Sequence, residues 1–224
     1  MISAGSRTTM SEPTPPALPA PTAETQATLT PDAVLEELLA GNARFVAGNG
    51  TSHDLPARRE ATAGGQFPKA VILSCLDSRV PVESVFDQSI GDLFVGRNAG
   101  NVANEDQLGS MEFATAISGA RLVMVLGHEA CGAVKGACDR ANLGNLTQLL
   151  HKIAPALTAV QGFEASDRTS ANADFVAAAV RANVAHQVAQ VRSKSPVLKG
   201  LEDEGRIRIV GAHYALATGE VTLV

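Results

Sequence analysis

Two thiols and one imidazole stand at spacings that suit a metal site. Cys75 opens the run Cys75-Leu-Asp77-Ser-Arg79, and His128 and Cys131 are the ends of the run His-Glu-Ala-Cys. Each run comes directly after apolar residues typical of a buried strand. Two cysteines and one histidine are the protein ligands of an open zinc site, whose fourth tetrahedral position is left for water. These side chains therefore predict one catalytic zinc ion per chain.

A fourth cysteine or histidine ligand would make such a site structural rather than catalytic, and Cys138 is the candidate. If the segment after Glu129 is helical, Cys138 lies seven residues beyond Cys131, about 10.5 Å along the helix axis. Two sulfurs on one tetrahedral zinc ion are at most about 4 Å apart. We therefore interpret Cys138 as a core residue. The remaining histidines lack partner ligands and are interpreted as surface or core residues: His53, His151, His186 and His213.

Asp77 and Arg79 lie two and four residues beyond Cys75. As exposed loop charges they would form an ion pair worth little to stability. Beside a zinc thiolate, the carboxylate can occupy the open metal position or accept a hydrogen bond from metal-bound water. The arginine can hold the carboxylate away from the metal. Both residues are therefore candidates for a catalytic role.

Two other kinds of site fit the sequence poorly. Glu129 follows His128, but position 132 is Gly, so the H-E-x-x-H pattern of metalloproteases is absent. Cys75 and Arg79 are too close in sequence for the phosphate loop of a thiol phosphatase. The sequence also lacks the glycine motifs G-x-x-x-x-G-K-[ST] and G-x-G-x-x-G, so phosphate-binding chemistry has no support.

The composition favours one packed domain and excludes several partners. Of 224 residues, 45% are hydrophobic and 18% are charged, and the net charge is −5. Without a basic run, nucleic acid is not an expected partner. Three cysteines are too few for a disulfide framework and favour a reducing compartment. No apolar stretch has the length of a membrane span or of a signal-peptide core, so we expect a cytoplasmic protein without a membrane partner. A periplasmic location after processing is left open.

Residues 1–29 are rich in Pro, Thr and Ala and carry few large apolar side chains, which predicts a disordered tail. Thr30-Pro31-Asp32 is a helix start, and that helix should run to about Val46. Valines that recur every three or four positions predict a long helix from about Ala171 to Ser193, after a polar loop. Short apolar runs lie between the helical patterns: Ala70 to Ser74, Leu93 to Gly96, Leu122 to Gly127, Ile207 to Gly211 and Val221 to Leu223.

This alternation predicts an α/β fold: a mainly parallel central sheet flanked by helices, with an N-terminal helical arm and a single catalytic domain over residues 30–224. Ligands of such sheets collect beyond the carboxyl ends of the strands. Cys75 ends the first predicted strand and His128 ends the third. We therefore expect the two metal-ligand runs to meet at one edge of the sheet.

Taken together, these motifs resemble those of the β-class carbonic anhydrases. Besides the two metal-ligand runs, the resemblance rests on Gly41-Asn42-x-Arg44-Phe45, Arg97-Asn98-Ala99-Gly100-Asn101, Gly211-Ala212-x-Tyr214 and Thr218-Gly219-x-Val221. It covers about residues 30–224. It implies zinc held by Cys75, His128 and Cys131, beside an Asp77–Arg79 dyad. It also implies reversible hydration of CO2 to bicarbonate by zinc-bound hydroxide, in a homodimer or homotetramer whose active-site cleft lies at a subunit interface.

Plant-like members of that class line the cleft with a glutamine and two aromatic residues. The resemblance assigns these substrate-binding positions to Gln66, Phe94 and Phe113, with Gly132 also facing CO2. Phe113 departs from the tyrosine that is common there and lacks its hydroxyl. The chain has no Trp, the residue of the inhibitory bicarbonate site in other members. The resemblance is therefore to the open-site subtype, with Asp77 off the metal.

Two alternatives belong to other functional classes. The same scaffold could hydrolyse carbon disulfide or carbonyl sulfide, which access to the cleft and a direct assay would distinguish. A non-catalytic zinc-binding assembly module is the other alternative. The presence of Asp77, Arg79 and Gln66 argues against it, because a structural zinc site needs none of them.

Overall fold

The computed structural model describes residues 19–224. Its five strands are β1 Ala70–Cys75, β2 Leu93–Asn98, β3 Leu122–His128, β4 Arg208–Tyr214 and β5 Val221–Leu223. The α-helices of this part of the chain are α1 Ala23–Ala27, α2 Pro31–Ala47, α3 Leu55–Thr62, α4 Val82–Val85, α5 Glu105–Glu112, α6 Gly132–Cys138, α7 Gly144–His151, α8 Ala154–Thr158, α9 Ala173–Lys194 and α10 Pro196–Asp203. A π-helical turn, Phe113–Ile117, continues α5, and short 3-10 turns span Ala99–Asn101 and Ala165–Asp167.

The strands form one sheet in the order β2-β1-β3-β4-β5. Strands β1 to β4 are parallel, and β5 returns antiparallel to β4. Every residue of β1 and β3 is buried, as expected for central strands covered on both faces. The predicted α/β fold with a mainly parallel sheet is confirmed.

Helices cover both faces of the sheet. On one face, α2 packs Val34, Leu35 and Leu38 into a core shared with the strands. On the other face, α9 and α10 pack residues such as Val184 and Leu198. The valine spacing of α9 gives this helix a continuous buried stripe, so the predicted long helix is confirmed with its ends moved by one or two residues. No helix within residues 19–224 is long and apolar enough to cross a bilayer.

Two residues of the Gly41-Asn42 motif hold α2 against the rest of the fold. A side chain at Gly41 would place its Cβ only 1.9 Å from the Phe86 carbonyl oxygen, so the close approach of α2 requires glycine. The buried Asn42 amide donates to the carbonyls of Val85 (3.0 Å) and Gly219 (2.8 Å), and its oxygen accepts from the Val221 N–H (2.8 Å). The motif is therefore a packing device at some distance in sequence from the metal-ligand runs.

The predicted disordered tail, residues 1–29, falls partly on residues 1–18, which lie outside the described residues. Farther along, Thr22 caps the short helix α1. Gln26 of that helix is buried, and its side-chain amide donates to the carbonyls of Pro68 and Ser118, both at 2.8 Å. The prediction of disorder is thus wrong for residues 23–27. Composition underestimates the order of this stretch because the residue that anchors it is polar. The Gln26 side chain satisfies two backbone carbonyls, whereas composition counts only apolar anchors.

Candidate metal centre

The predicted metal ligands meet at the carboxyl end of the sheet. Cys75 is the last residue of β1 and His128 the last residue of the adjacent strand β3. Cys131 immediately precedes α6, and Ala130, with a φ of 54°, turns the chain back between the two ligands of this run. The ligand atoms of Cys75, His128 and Cys131 all lie within 4.8 Å of one another, and all three residues are buried. The sheet thus assembles the cluster that residue types and spacing predicted.

The His128 ring is oriented by the backbone of the next residue. Its Nδ1 lies 2.9 Å from the Glu129 carbonyl oxygen. Because a carbonyl can only accept, Nδ1 donates this bond, and in the neutral ring the lone pair is then on Nε2. That Nε2 is buried and has no hydrogen-bond partner among the described residues. A buried, unpartnered lone pair beside two thiols is what a zinc ion would satisfy, so the cluster fits this metal.

The two sulfurs are also spaced for a shared ion. Cys75 Sγ and Cys131 Sγ are 3.9 Å apart, within the limit of about 4 Å for two sulfurs on one tetrahedral zinc. The hydrogen bond from Cys131, opposed by burial, lowers the pKa of Cys75 to about 4. The same contact, together with burial, raises the pKa of Cys131. Negative charge therefore gathers first on Cys75, and a bound cation would draw the second proton away.

Arg79 holds Asp77 in a bidentate ion pair beside the cluster. Arg79 Nε donates to Asp77 Oδ1 at 2.9 Å and a terminal nitrogen donates to Oδ2 at 2.7 Å. The Arg79 backbone N–H adds a bond of 3.0 Å to Oδ1. These bonds, against a smaller effect of burial, hold the pKa of Asp77 well below its usual range. Asp77 Oδ2 lies 3.7 Å from His128 Nε2, so an ionised carboxylate faces the metal ligands while its oxygens are engaged by arginine.

Two residues without a predicted catalytic or metal-binding role support the loop that carries these side chains. Arg97 donates to the carbonyls of Cys75 (3.0 Å) and Asp77 (2.5 Å). The Gly100 N–H points at Cys75 Sγ, 3.4 Å away. Both belong to the Arg97–Asn101 motif, which spans the last two residues of β2 and the turn that follows it. A polar run at a strand end beside the metal run was the available signal.

Phe94 and Phe113 lie together but away from the metal ligands. Their rings meet edge to face with centroids 6.3 Å apart, in a cavity of about 860 Å³ between β2 and α5. Phe94 is level with Val71 in the sheet, four residues before Cys75, which is about 13 Å along the strand. Arg97 lines this cavity and also contacts the metal loop, so it lies between the two regions.

Gln66 and Gly132 have opposite outcomes. Gly132 directly follows Cys131 and is exposed beside the cluster. Gln66 is exposed in the loop before β1, where it lines a separate cavity of about 410 Å³ with Thr62 and Gly91. The metal ligands are at the opposite end of β1. The described chain therefore brings Gly132 to the metal cluster but not Gln66, Phe94 or Phe113.

The third cysteine is separate from the cluster. Cys138 ends α6 and is buried, and burial together with Asp139 raises the pKa of its thiol to about 11. Such a thiol stays protonated near neutral pH and is a poor metal ligand. Its interpretation as a core residue agrees with its packing against the apolar cluster around α6 and α9.

Comparisons with known proteins agree with this geometry. The sequence model described as carbonic anhydrase matches residues 70–221. Carbonic anhydrase 2 of Mycobacterium tuberculosis is 36% identical over 200 residues, which cover 86% of this chain and 92% of the relative. The carbonic anhydrase of Mycolicibacterium smegmatis is 38% identical over 207 residues, covering 86% and 93%.

Solved structures extend the likeness to the fold. The β-carbonic anhydrase CcaA superposes with a TM-score of 0.65 at 26% identity, over 84% of this chain and 94% of the other. Tetrameric β-carbonic anhydrases from Sordaria macrospora give a TM-score of 0.65 at 22% identity, over 85% and 96%, and at that identity they bear on the fold alone. With the family model, the relatives and the fold in agreement, this chain belongs to the β-class carbonic anhydrases.

Proposed function

We propose that this protein catalyses the reversible hydration of CO2 to bicarbonate and a proton, with one zinc ion held by Cys75, His128 and Cys131. The observation that carries the proposal is the convergence of two thiol sulfurs on a buried, unpartnered imidazole nitrogen. Family membership supports the reaction, and the donor set supports the metal. A site that held zinc only for structure would have no need of the ionised Asp77 beside it.

Cys75, His128 and Cys131 would hold the zinc ion, which would supply Lewis acidity and so make hydroxide available near neutral pH. The charge that the ligands donate would determine how far the pKa of water at the site is lowered. Two thiolates donate more negative charge than three neutral imidazoles, so the working pH range should lie higher than at a three-histidine site. The Gly100 N–H on Cys75 Sγ opposes part of that donation.

Asp77 and Arg79 would orient the nucleophile. The Asp77 carboxylate faces the ligands at 3.7 Å from His128 Nε2 and can accept a hydrogen bond from the attacking water. Arg79 engages both carboxylate oxygens and prevents them from binding the metal directly. The ion pair thus supports an open resting site in which the fourth ligand position belongs to water.

The substrate-binding roles of Gln66, Phe94 and Phe113 require a second chain. All three lie toward the amino end of the sheet, whereas the metal ligands lie at its carboxyl end. We therefore propose a homodimer, or a tetramer built from dimers, in which these residues face the metal centre of the partner subunit. The unpaired edge of β2 and the half-exposed Phe113 support an interface on that side.

The free cysteines support a cytoplasmic location. Cys75, Cys131 and Cys138 are all reduced thiols in the structure, and two of them would be lost as ligands on oxidation. A reducing compartment preserves the site.

Stopped-flow CO2 hydration combined with zinc analysis tests the proposal. We expect about one zinc per chain and rapid hydration from the unmodified protein. Cys75→Ala and His128→Ala should lose both the metal and the activity. Cys138→Ala is the matched control, because it removes a buried thiol outside the cluster and should keep both. Full zinc occupancy in Cys75→Ala or His128→Ala would show that the ligand assignment is wrong.

A further inference from the structure

We infer that Asn183 of α9 is a positioning residue for the Cys75 thiolate and acts through the backbone amide of Gly100. The inference rests on the proposed zinc site and deepens it. Asn183 is far from Cys75 in sequence and makes no direct bond to it, but one short turn of backbone joins the two. The assignment concerns how strongly one sulfur donates charge to the metal.

A hydrogen bond joins the Gly100 backbone to the Cys75 sulfur. The Gly100 N–H donates to Cys75 Sγ at 3.4 Å in the buried interior. Gly100 has a φ of 73° and a ψ of 22°, the left-handed conformation that favours glycine. A Cβ at this position would lie 2.6 Å from Ile153 Cδ1. The turn is therefore built so that this one amide reaches the thiolate.

Two asparagine side chains hold the turn that contains Gly100. Asn183 is 1% exposed, and its side-chain Nδ2 donates to the Gly100 carbonyl at 3.0 Å. At the base of the turn, Asn98 closes the loop with two bonds of 2.7 Å to the backbone of Val102. Asn183 is thus the side chain from the opposite layer that pins the peptide following the Gly100 amide. Without it, the turn is held at its base but not at Gly100.

A second buried amide, that of Gln187, holds Asn183 in place. Gln187, one turn farther along α9 and 1% exposed, donates to Asn183 Oδ1 at 3.0 Å. Its own oxygen accepts from the Ala103 N–H at 3.0 Å. Because Asn183 Oδ1 already serves as acceptor, Nδ2 must face Gly100. Two buried amides on a helix face otherwise rich in valine are costly unless they are satisfied, and here they are satisfied by the metal-side loop.

The chemical consequence follows from hydrogen bonding to a thiolate. An N–H donor stabilises the sulfur lone pairs and weakens their donation to a metal. Loss of the bond makes Cys75 a stronger donor and lowers the energy of charge transfer from sulfur to the metal. A purely structural role for Asn183 predicts no such electronic change.

The test uses the enzyme with cobalt(II) in place of zinc and reads the near-ultraviolet absorption band that arises from thiolate-to-cobalt charge transfer. Asn183→Leu keeps a similar volume and removes the donor to Gly100. We expect about one cobalt per chain, a band shifted to longer wavelength, and CO2 hydration reduced several-fold in the zinc form. Val191→Ala, a buried change on the same helix outside the amide network, is the control and should leave the band in place.

The outcomes separate this inference from the proposed function. A wild-type protein that binds cobalt without any thiolate charge-transfer band would contradict the metal site itself. A wild-type band at an unchanged position in fully loaded Asn183→Leu would overturn only the role of Asn183. If the leucine variant does not fold, Asn183→Ser gives the same reading, because its hydroxyl is too short to reach the Gly100 carbonyl.

Discussion

Among single residues, Arg79 is the one that we propose keeps the Asp77 carboxylate off the metal. Arg79 keeps the pKa of Asp77 low, so Asp77 is an anion throughout the working pH range. In Arg79→Ala the pKa of Asp77 returns toward its usual value near 4, and the carboxylate is still ionised at neutral pH. It is then free to compete with water for zinc.

We therefore expect Arg79→Ala to lose at least about tenfold in kcat/KM near pH 7, equivalent to about 1.4 kcal/mol. The loss should grow as pH falls toward 6, because hydroxide becomes scarcer while Asp77 remains charged. The pH profile of CO2 hydration checks both points. Arg79→Lys keeps the charge but not the two parallel hydrogen bonds, so its kcat/KM should lie between those of the unmodified protein and Arg79→Ala. A uniform loss across the pH range would contradict competition by Asp77.

The metal cluster and the dyad could be predicted because each run is local in sequence, with Asp77 beside Arg79 and His128 beside Cys131, and because Cys75 and His128 both end strands of a parallel sheet. The roles of Gly100 and Asn183 could not be predicted from the sequence. One acts through its backbone N–H, which every residue but proline has, and the other lies 83 positions from the residue it holds. Their signals, a glycine after a strand and an amide among valines, have many other meanings.

At the scale of elements, the position of α2 depends on Gly41. Its Cβ would lie 1.9 Å from the Phe86 carbonyl oxygen, and backbone cannot move aside as a flexible side chain can. Gly200 in α10 is also helical, but an added Cβ there meets nothing within 4 Å. The two glycines therefore form a matched pair with opposite expected effects.

Gly41→Ala should destabilise the protein by about 2 kcal/mol or more, because α2 must move off the core or its neighbour must distort. Gly200→Ala should stabilise it by up to about 1 kcal/mol through helix propensity. Urea unfolding followed by circular dichroism measures both. Equal effects of the two substitutions would show that the contact between α2 and Phe86 is not tight in solution.

The elements themselves were largely predictable, since uninterrupted apolar runs mark strands that are buried on both faces and regular valine spacing marks α9. Two features were not. Helix α1 is held by Gln26, a residue type typical of surfaces. The π-helical turn at Phe113–Ile117 continues α5 directly, and no local sequence pattern distinguishes it from an ordinary helical turn.

In the N-terminal segment, the residues before Thr22 and those after it should differ in importance, because Thr22 is the N-cap of α1. Deletion of residues 1–18, which by composition carry no site residue, should leave turnover within about twofold, less than roughly 0.5 kcal/mol of barrier. Deletion of residues 1–29 also removes Gln26 and leaves the Pro68 and Ser118 carbonyls without this donor. That should cost about 1–3 kcal/mol of unfolding free energy.

Thermal and urea unfolding of the two truncated chains measure the difference. Gln26→Leu in the full chain is the control, because it removes only the two hydrogen bonds and should reproduce much of the larger deletion's effect. Equal stability of the two truncated chains would show that α1 contributes nothing to the fold. A tenfold loss of turnover in the shorter deletion would mean that residues 1–18 help complete the cleft or the interface.

The proposed dimer would share each active site between its two subunits. Within one chain Gln66 lies before the first residue of β1 and Cys75 is its last residue, so the length of the six-residue strand, about 16 Å, lies between them. If Gln66 serves the cleft, it must serve that of a partner. Gln66→Ala alone should reduce kcat/KM by about tenfold, one hydrogen bond in a dry cleft, and His128→Ala alone should abolish activity.

Co-expression of the two variants under different tags gives heterodimers in which one metal centre is intact and faces an intact Gln66 of the other chain. These heterodimers should recover about half of the wild-type turnover, since one of their two sites is complete and the other carries both defects. A heterodimer of His128→Ala with unmodified chain sets the expected half value. If Gln66 instead acted within its own chain, the mixed dimer would reach only half the activity of Gln66→Ala. The two arrangements therefore differ by about tenfold in one measurement, a difference in barrier of about 1.4 kcal/mol.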